Sequence, residues 1–314
     1  MAQPTNTFSS YDAVGNREDL KDTIYNIDPT DTLFMSSIST SSADSTKHEW
    51  QTDSLTAASG ANAVIEGDDA TTDAAAASTR VFNYTQISDK VARVTGTQGA
   101  VIKAGRRDEM AYQVTKRVKE LKRDMETSLL ANNAAVAGND TTARELAGVE
   151  SWIATNESVG TSGSAPTGDG TDARTDGTQR AFTEAQLKAV LASCWDNGGN
   201  PDCMMLGSFN KQAASGFTGN ATRFKGAEDS KLVASIDVYD SDFGELQIMP
   251  SRFQRSRSAL ILEKDMWAVS YLRDFQISDL AKTGDTQRKQ ILVEYTLEAR
   301  SEAANGIVAD LTTS

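Results

Sequence analysis

The sequence predicts a mixed α+β fold organised around one long amphipathic helix. Three observations lead to this prediction. Apolar residues from Met110 to Leu129 recur at intervals of three and four, the period of an α-helix. Five short segments in the last third alternate or cluster apolar residues as strands do. Between residues 47 and 94, two strand-like runs flank a small, polar stretch, which predicts a long hairpin with a soft tip.

The first 45 residues predict an arm. A short helical pattern is followed by Pro29 and then by an apolar patch, and both groups are small: Leu20, Ile24 and Ile27 form the first, and Leu33, Phe34 and Ile38 form the second. Neither group is large enough to make a core of its own. We therefore expect the arm to dock on a surface outside itself.

The predicted hairpin has strands at residues 47–55, which include Trp50, and at residues 80–94. The intervening residues 56–79 are small, polar and acidic, with little to pack. An isolated two-stranded ribbon is only marginally stable in water. The hairpin is therefore expected to need a partner surface.

The strongest periodic signal predicts a helix over residues 106–137, ended by Gly138. A helix of about 28 to 30 residues would span about 42 to 45 Å, so it would act as a strut. Its basic residues allow a nucleic-acid-binding stripe. They interleave with Glu120, Asp124 and Glu126, however, which favours a solvated or subunit-facing charged surface.

The remaining elements are predicted from local signals. Residues 161–179 form a Gly-, Thr-, Ser- and Asp-rich linker that indicates a subdomain boundary. Thr183 with Gln186 predicts a capping box that opens a helix over 184–195, and 203–206 is a short buried run. Strands are predicted at 236–239, 245–249, 258–262, 267–271 and 290–297, with a closing helix at 303–311.

Composition limits the possible functions. The chain has 314 residues and a net charge of -13, from 44 acidic and 31 basic residues, which disfavours adhesion to nucleic acid or anionic lipid. The same charge would suit a wall around DNA, since a basic wall would condense on the phosphates. We expect no signal peptide and no membrane partner, since no run of about 18 apolar residues is present.

Candidate chemistry is sparse. The single histidine, His48, would have to carry any triad or two-histidine metal site alone, so we expect no catalysis. The acidic clusters lack EF-hand spacing and are interpreted as solvated turns: Asp68, Asp69 and Asp73; Asp169 and Asp172; Asp237, Asp240 and Asp242. Cys194 and Cys203 are interpreted as reduced structural thiols, with a redox pair as the alternative.

Several long segments resemble a family of phage major head proteins, which are similar to HK97-like capsid proteins. The resemblance covers nearly the whole chain and rests on segments such as REDLKDTIYNIDPTDTLF at 17–34, HEWQTDSL at 48–55, GTQGAVIKAGRRDEMAYQVTKRVKELKRDMETSLL at 96–130 and LRDFQISDLAKTGDTQRKQILVEYTLEARSEAANGIVADL at 272–311.

The resemblance implies an HK97-like fold in five parts. These are an N-terminal arm at 1–45, an extended E-loop hairpin at 46–95, a peripheral domain with the spine helix and linker at 96–179, an axial domain at 180–250, and further peripheral-domain strands with the C-terminal segment at 251–314. It implies a structural protein without cofactors that self-assembles into hexamers and pentamers around double-stranded DNA. The expected location is the virion, after assembly in the bacterial cytoplasm.

The implied partners are other copies of the chain, a portal, scaffolding or decoration proteins, and DNA held by non-specific contact. From the predicted arm and ribbon we expect contacts with neighbouring subunits at Phe34, Trp50, Val81 and Phe82. Some HK97-like capsids cross-link neighbours through lysine, but residues 56–79 contain none, so no such bond is expected. The alternatives are an encapsulin-like shell that encloses cargo proteins and a carboxylate- or metal-dependent enzyme.

Overall fold

A computed structural model describes residues 29–69, 77–102, 107–217 and 237–314. Its five α-helices in these ranges are α1 Leu33–Ser37, α2 Gly96–Ala100, α3 Glu109–Leu129, α4 Glu184–Asp196 and α5 Ser208–Ser215. The strands are β1 Ser39–Ser42, β2 Lys47–Thr52, β3 Thr79–Tyr84, β4 Gln86–Thr95, β5 Asn156–Ser158, β6 Cys203–Leu206, β7 Val238–Ser241, β8 Gly244–Pro250, β9 Ala259–Leu262, β10 Trp267–Asp279, β11 Thr286–Ala299 and β12 Gly306–Val308.

A four-stranded sheet in the order β1-β10-β11-β4 supports α3. β10 and β4 both run antiparallel to β11, and the short β1 lies parallel to β10. The apolar face of α3 packs on this sheet through Leu121, Met125 and Leu129, against Ile291 and Tyr295 of β11. The three- and four-residue spacing of those helix positions places them on one side, as predicted.

A six-stranded sheet in the order β5-β12-β9-β6-β8-β7 makes a second unit with α4. Leu187, Val190 and Leu191 of α4 pack against Met204 of β6 and Ile261 of β9. The predicted capping box is present, because Thr183 and Gln186 each bond the other's backbone N–H. The buried run at 203–206 is confirmed as the fully buried strand β6.

The long helix is real but shorter than predicted. α3 ends at Leu129 and spans about 31 Å for its 21 residues. Asn132 and Asn133 end it, because their side chains bond the main chain at Arg174 and Leu146 in place of continuing the helix. Gly138, at φ +71°, instead serves a turn further along the chain. Residue 106, the predicted start, lies outside the described residues.

The predicted hairpin is confirmed as the antiparallel pair of β2 and β3, with Lys47 opposite Tyr84 and Thr52 opposite Thr79. The single strand predicted over 80–94 is wrong, because the strand is interrupted at Thr85 and continues as β4 from Gln86. Beyond that residue, β4 leaves the ribbon and joins the four-stranded sheet beside β11. The early arm pattern at Leu20, Ile24 and Ile27 lies outside the described residues, as do residues 70–76 of the tip.

The linker and the C-terminal segment complete the described fold. The linker at 161–179 is tied to the body, because the Asp310 carboxylate accepts the backbone N–H groups of Gly160 and Gly177 at 3.0 and 2.7 Å. The closing helix at 303–311 is wrong, since residues 306–308 form β12 between β5 and β9. The last-third strands are confirmed in kind, but β10 and β11 are longer than predicted, and residue 236 lies outside the described residues.

Candidate functional site

The β2–β3 hairpin has an anchored root and a free tip. At the root, Asn83 is fully buried. Its side-chain amide donates to the carbonyls of Leu297 at 2.8 Å and Ala147 at 3.3 Å, and its oxygen accepts the backbone N–H of Ala147 at 2.9 Å. One side chain therefore joins the hairpin to β11 and to the segment after α3.

A buried carboxylate strengthens the same junction. Glu294 of β11 is 3% exposed and accepts hydrogen bonds from Arg144 at 2.5 Å, Arg273 at 2.7 Å and the Thr85 hydroxyl at 2.9 Å. Two guanidinium groups offset the cost of burying the charge, and the hydroxyl satisfies another lone pair. The point where the chain leaves the ribbon for β4 is thereby held in place.

The outer part of the root rests on the end of β11. The Trp50 indole N–H donates to the carbonyl of Ala299 at 2.8 Å, and its ring lies 5.5 Å from that of Trp152. His48 Nε2 lies 3.4 Å from Glu298, which also accepts from Ser41 and Arg300. These hydrogen bonds, His48 first, lower the pKa of Glu298 to about 2.

The tip, by contrast, exposes large aliphatic side chains. Leu55 is 99% exposed, Val64 84% and Ile65 78%. Single exposed aliphatic residues are common on protein surfaces. Three that lie almost fully in water on one projecting segment are a liability for a monomer and mark an interaction surface. Sequence reasoning missed these residues, although isolated aliphatics inside a polar stretch were the available signal.

The four residues predicted to contact neighbouring subunits differ in how much of their side chain is exposed. Trp50 and Val81 are half-buried against their own core, and Phe82 is half-buried beside Tyr84 and Lys47. The prediction that Phe34 contacts a neighbouring subunit needs correction, because its side chain is 1% exposed and packs edge-to-face with Trp267 of its own chain. Its side chain completes its own subunit's core because α1 is bonded to α3 at Glu126.

Nothing in the described ranges assembles a reactive centre. No three His, Cys, Asp or Glu side chains there lie close enough to hold a metal ion. Asp169 and Asp172 accept hydrogen bonds from Thr167 within one turn. Burial raises the pKa of both the Cys194 and Cys203 thiols to about 12. No helix in the same ranges is long and apolar enough to cross a bilayer.

Comparison with known proteins decides the family. The model of the SU10 major capsid protein family matches residues 3–312. The chain belongs to this family. Its role is therefore that of a structural capsid protein, and the non-enzymatic prediction is confirmed on that ground.

Individual relatives agree with the family match. The chain is similar to the major capsid protein of Escherichia phage Phieco32, with 27% identity over 98% of this chain and 97% of the relative. The capsid asymmetric unit of cyanophage A-1(L) has a TM-score of 0.68 at 11% identity, covering 98% of this chain and 99% of that one. The holo-SrpI encapsulin of Synechococcus elongatus has a TM-score of 0.56 at 9% identity, over 95% and 93% of the two chains.

These similarities confirm the predicted HK97-like fold. For this member of the SU10 major capsid protein family, self-assembly into a shell in the virion is the function that the surface must serve. The anchored root and exposed tip of the hairpin fit that task. A rigid base fixes the direction of the hairpin, and the tip carries large apolar side chains that the described part of the chain leaves exposed.

Proposed function

We propose that the chain forms hexameric and pentameric capsomers that close into an icosahedral phage head around double-stranded DNA. The main support for this proposal is the contrast between the buried root and the exposed tip of the β2–β3 hairpin. Its root is held by the buried side chains of Asn83 and Glu294, while Leu55, Val64 and Ile65 project into water. A neighbouring copy of the chain would bury the tip and remove this exposed apolar surface.

The parts of the subunit are proposed as follows. Residues 1–45 are the arm, 46–95 the E-loop, 96–179 the peripheral domain with the spine helix and linker, 180–250 the axial domain, and 251–314 the returning peripheral strands with the C-terminal segment. The packing of α3 on the four-stranded sheet, and of α4 on the six-stranded sheet, supports two units. Strands β5, β9 and β12 of the six-stranded sheet come from outside residues 180–250, so the second unit also takes strands from the flanking ranges.

The proposed partners are other copies of the chain, a portal at one vertex, scaffolding or decoration proteins, and packaged DNA held without sequence preference. Assembly is proposed to occur in the bacterial cytoplasm. Trp50, Val81 and Phe82 are proposed as neighbour contacts on the ribbon, since each keeps part of its side chain exposed. Residues 56–79 hold no lysine, so the shell is proposed to be held by buried area without isopeptide bonds there.

Electron microscopy of the overexpressed chain tests the proposal. We expect closed shells for the natural sequence. The triple variant Leu55→Ser, Val64→Ser, Ile65→Ser should yield dispersed subunits or capsomers. Its thermal unfolding as a free subunit should be unchanged, because these side chains are 78 to 99% exposed in their own chain.

A matched triple, Leu55→Met, Val64→Ile, Ile65→Val, keeps the apolar surface and should restore shells. Normal shells from the serine triple would show that the tip is not the contact. Dispersed subunits of the natural chain at high concentration would contradict the proposed function as a whole.

A second candidate is a protein compartment that encloses cargo, because the SrpI encapsulin shares the fold. Particles isolated from infected cells distinguish the two. Double-stranded DNA with a single portal vertex would support the phage head, whereas a co-purifying cargo enzyme without DNA would support the compartment. Membership in the SU10 capsid family favours the head.

A further inference from the structure

The outer side of α3 carries a row of cations. Lys116, Lys119 and Lys122 are exposed and Arg123 is half-buried; these four residues are called the α3 basic row. No carboxylate in the described part of the chain forms an ion pair with any of them. Two other charges on the solvent side of the helix do have partners, since Arg117 forms an ion pair with Glu120 and Asp124 forms one with Lys90 at 2.6 Å.

Helical geometry places the row on one face. At about 100° per residue, the four positions fall within about 120° of arc and extend about 10 Å along the axis. The two cations nearest the C-terminal end of α3 each lie over an aromatic ring. The Lys122 ammonium lies 5.7 Å from the centre of the Phe275 ring, and the Arg123 guanidinium lies 5.5 Å from that of Phe253. The charges are therefore concentrated on one surface of the subunit.

The chemistry of this face fits a polyanion better than another protein. Lysine is depleted in the centres of protein interfaces, which favour aromatic and other large apolar residues. α3 has no large apolar residue that is mostly exposed, whereas the hairpin tip has three. Flexible lysines act as point charges that suit phosphates without fixed geometry. The tip and the α3 basic row thus present different surfaces to different partners.

We propose that the α3 basic row contacts the phosphate backbone of packaged double-stranded DNA, so that this face of α3 lines the inside of the shell. The inference rests on the proposed function. The net charge of -13 limits the strength of this contact, because the rest of the subunit repels DNA. A few unpaired cations per subunit, repeated over many copies, would hold DNA weakly and without sequence preference.

Binding of the unassembled full-length chain to a random 30-base-pair duplex, followed by fluorescence anisotropy over a range of salt concentrations, tests the contact. The triple variant Lys116→Gln, Lys119→Gln, Lys122→Gln should reduce the slope of log affinity against log salt by about one for each lysine removed. Affinity at low salt should fall by roughly tenfold or more.

The matched control is Lys188→Gln, Lys264→Gln, Lys289→Gln. It makes the same change in net charge, but each of these lysines lies within 2.8 to 3.1 Å of a carboxylate oxygen. The control should leave the salt slope unchanged. An equal loss in both triples would mean that net charge alone acts, and would overturn the assignment.

Two other outcomes are distinguishable. If the α3 triple abolishes shells while the salt slope stays the same, the row binds protein and the DNA contact is wrong. A cryo-electron microscopy map of filled heads should place α3 at the inner radius beside the first layer of DNA, and an outward-facing row would also overturn the inference. Failure of the natural chain to form shells would contradict the proposed function, without affecting the binding result.

Discussion

The Glu126 carboxylate, near the end of α3, accepts the backbone N–H of Phe34 at 2.7 Å. Its second oxygen accepts the N–H of Met35 at 2.9 Å. Glu126 is fully buried, and burial raises its pKa. In the described part of the chain it has no cationic partner. The arm is therefore joined to the long helix by a buried charge whose compensation comes from two main-chain donors.

Glu126→Gln should destabilise the subunit by about 1.5 to 3 kcal/mol, because one of the two backbone N–H groups would then face an N–H₂ group and lose its acceptor. Unfolding in urea, followed by tryptophan fluorescence, measures this change. The exposed Glu66→Gln serves as the control and should differ from the natural chain by less than about 0.5 kcal/mol. Equal stability of the two variants would show that the arm does not depend on this carboxylate.

Asn83→Ala should destabilise the hairpin root by about 2 to 4 kcal/mol, because it leaves buried carbonyl and N–H groups of Ala147 and Leu297 unpaired. The same urea experiment measures the loss, and hydrogen exchange should show faster opening of β2 and β3 than of β9. The exposed Asn200→Ala is the control. Unchanged exchange in the ribbon would contradict the role assigned to Asn83.

The lowered pKa of Glu298 predicts how the stability of the subunit depends on pH. Its pKa falls from an ordinary value of 4.5 to about 2 in the folded chain. Stability from this group is fully present above pH 4.5 and is lost as the pH falls toward 2. Glu298→Gln should therefore cost about 1 to 2 kcal/mol at pH 7, after allowance for solvent screening.

The difference between the natural chain and Glu298→Gln should shrink as the pH is lowered from 4.5 to 2. Glu126 has the opposite sign, since its raised pKa makes the natural chain gain stability as the pH falls toward 4.5. Urea unfolding at a series of pH values separates the two effects. A gap for Glu298→Gln that stays constant over that range would contradict the assignment.

Features that depend on near neighbours in the chain could be predicted from the sequence. The periodicity of α3 and the capping box at Thr183 are of this kind, and both are present. β1 could not be predicted, because the segment STSS has no apolar pattern and is held by parallel pairing with β10, more than 200 residues away. Its existence depends on the tertiary fold.

The candidate site was predictable only in part, for the same reason. Alternation around Trp50 indicated a ribbon, and the polar stretch indicated a tip. The polar root depends on Asn83 and Glu294, whose partners are distant in sequence, so no local pattern marks them. Phe34 was placed correctly in an apolar patch, but the surface that covers it belongs to its own chain.

Gly306 allows the strand β12 to lie close against α4, and it supports a further prediction. A Cβ there would lie 2.4 Å from the Val190 side chain and 2.9 Å from Cys194 Sγ. Gly306→Ala should therefore cost about 1 to 3 kcal/mol through overpacking. Gly60→Ala is the matched control, since nothing lies within 4 Å of its added carbon. Thermal unfolding measures the stability of both variants. Equal melting temperatures would show that α4 shifts to accommodate the added carbon without loss of stability.

The two cysteines should be unreactive in the folded chain. Cys194 and Cys203 are buried free thiols that pack in two different core clusters, and burial raises the pKa of each to about 12. Since the thiolate is the reactive form, a disulfide reagent at pH 8 should label neither thiol in the native subunit and both in urea. Ser59→Cys, on the exposed tip, provides a thiol that should react at once. Rapid native labelling of Cys194 or Cys203, or their oxidation to a disulfide, would restore the redox-pair interpretation. It would also require a motion that separates α4 from the six-stranded sheet, because Cys194 faces Gly306 across that interface.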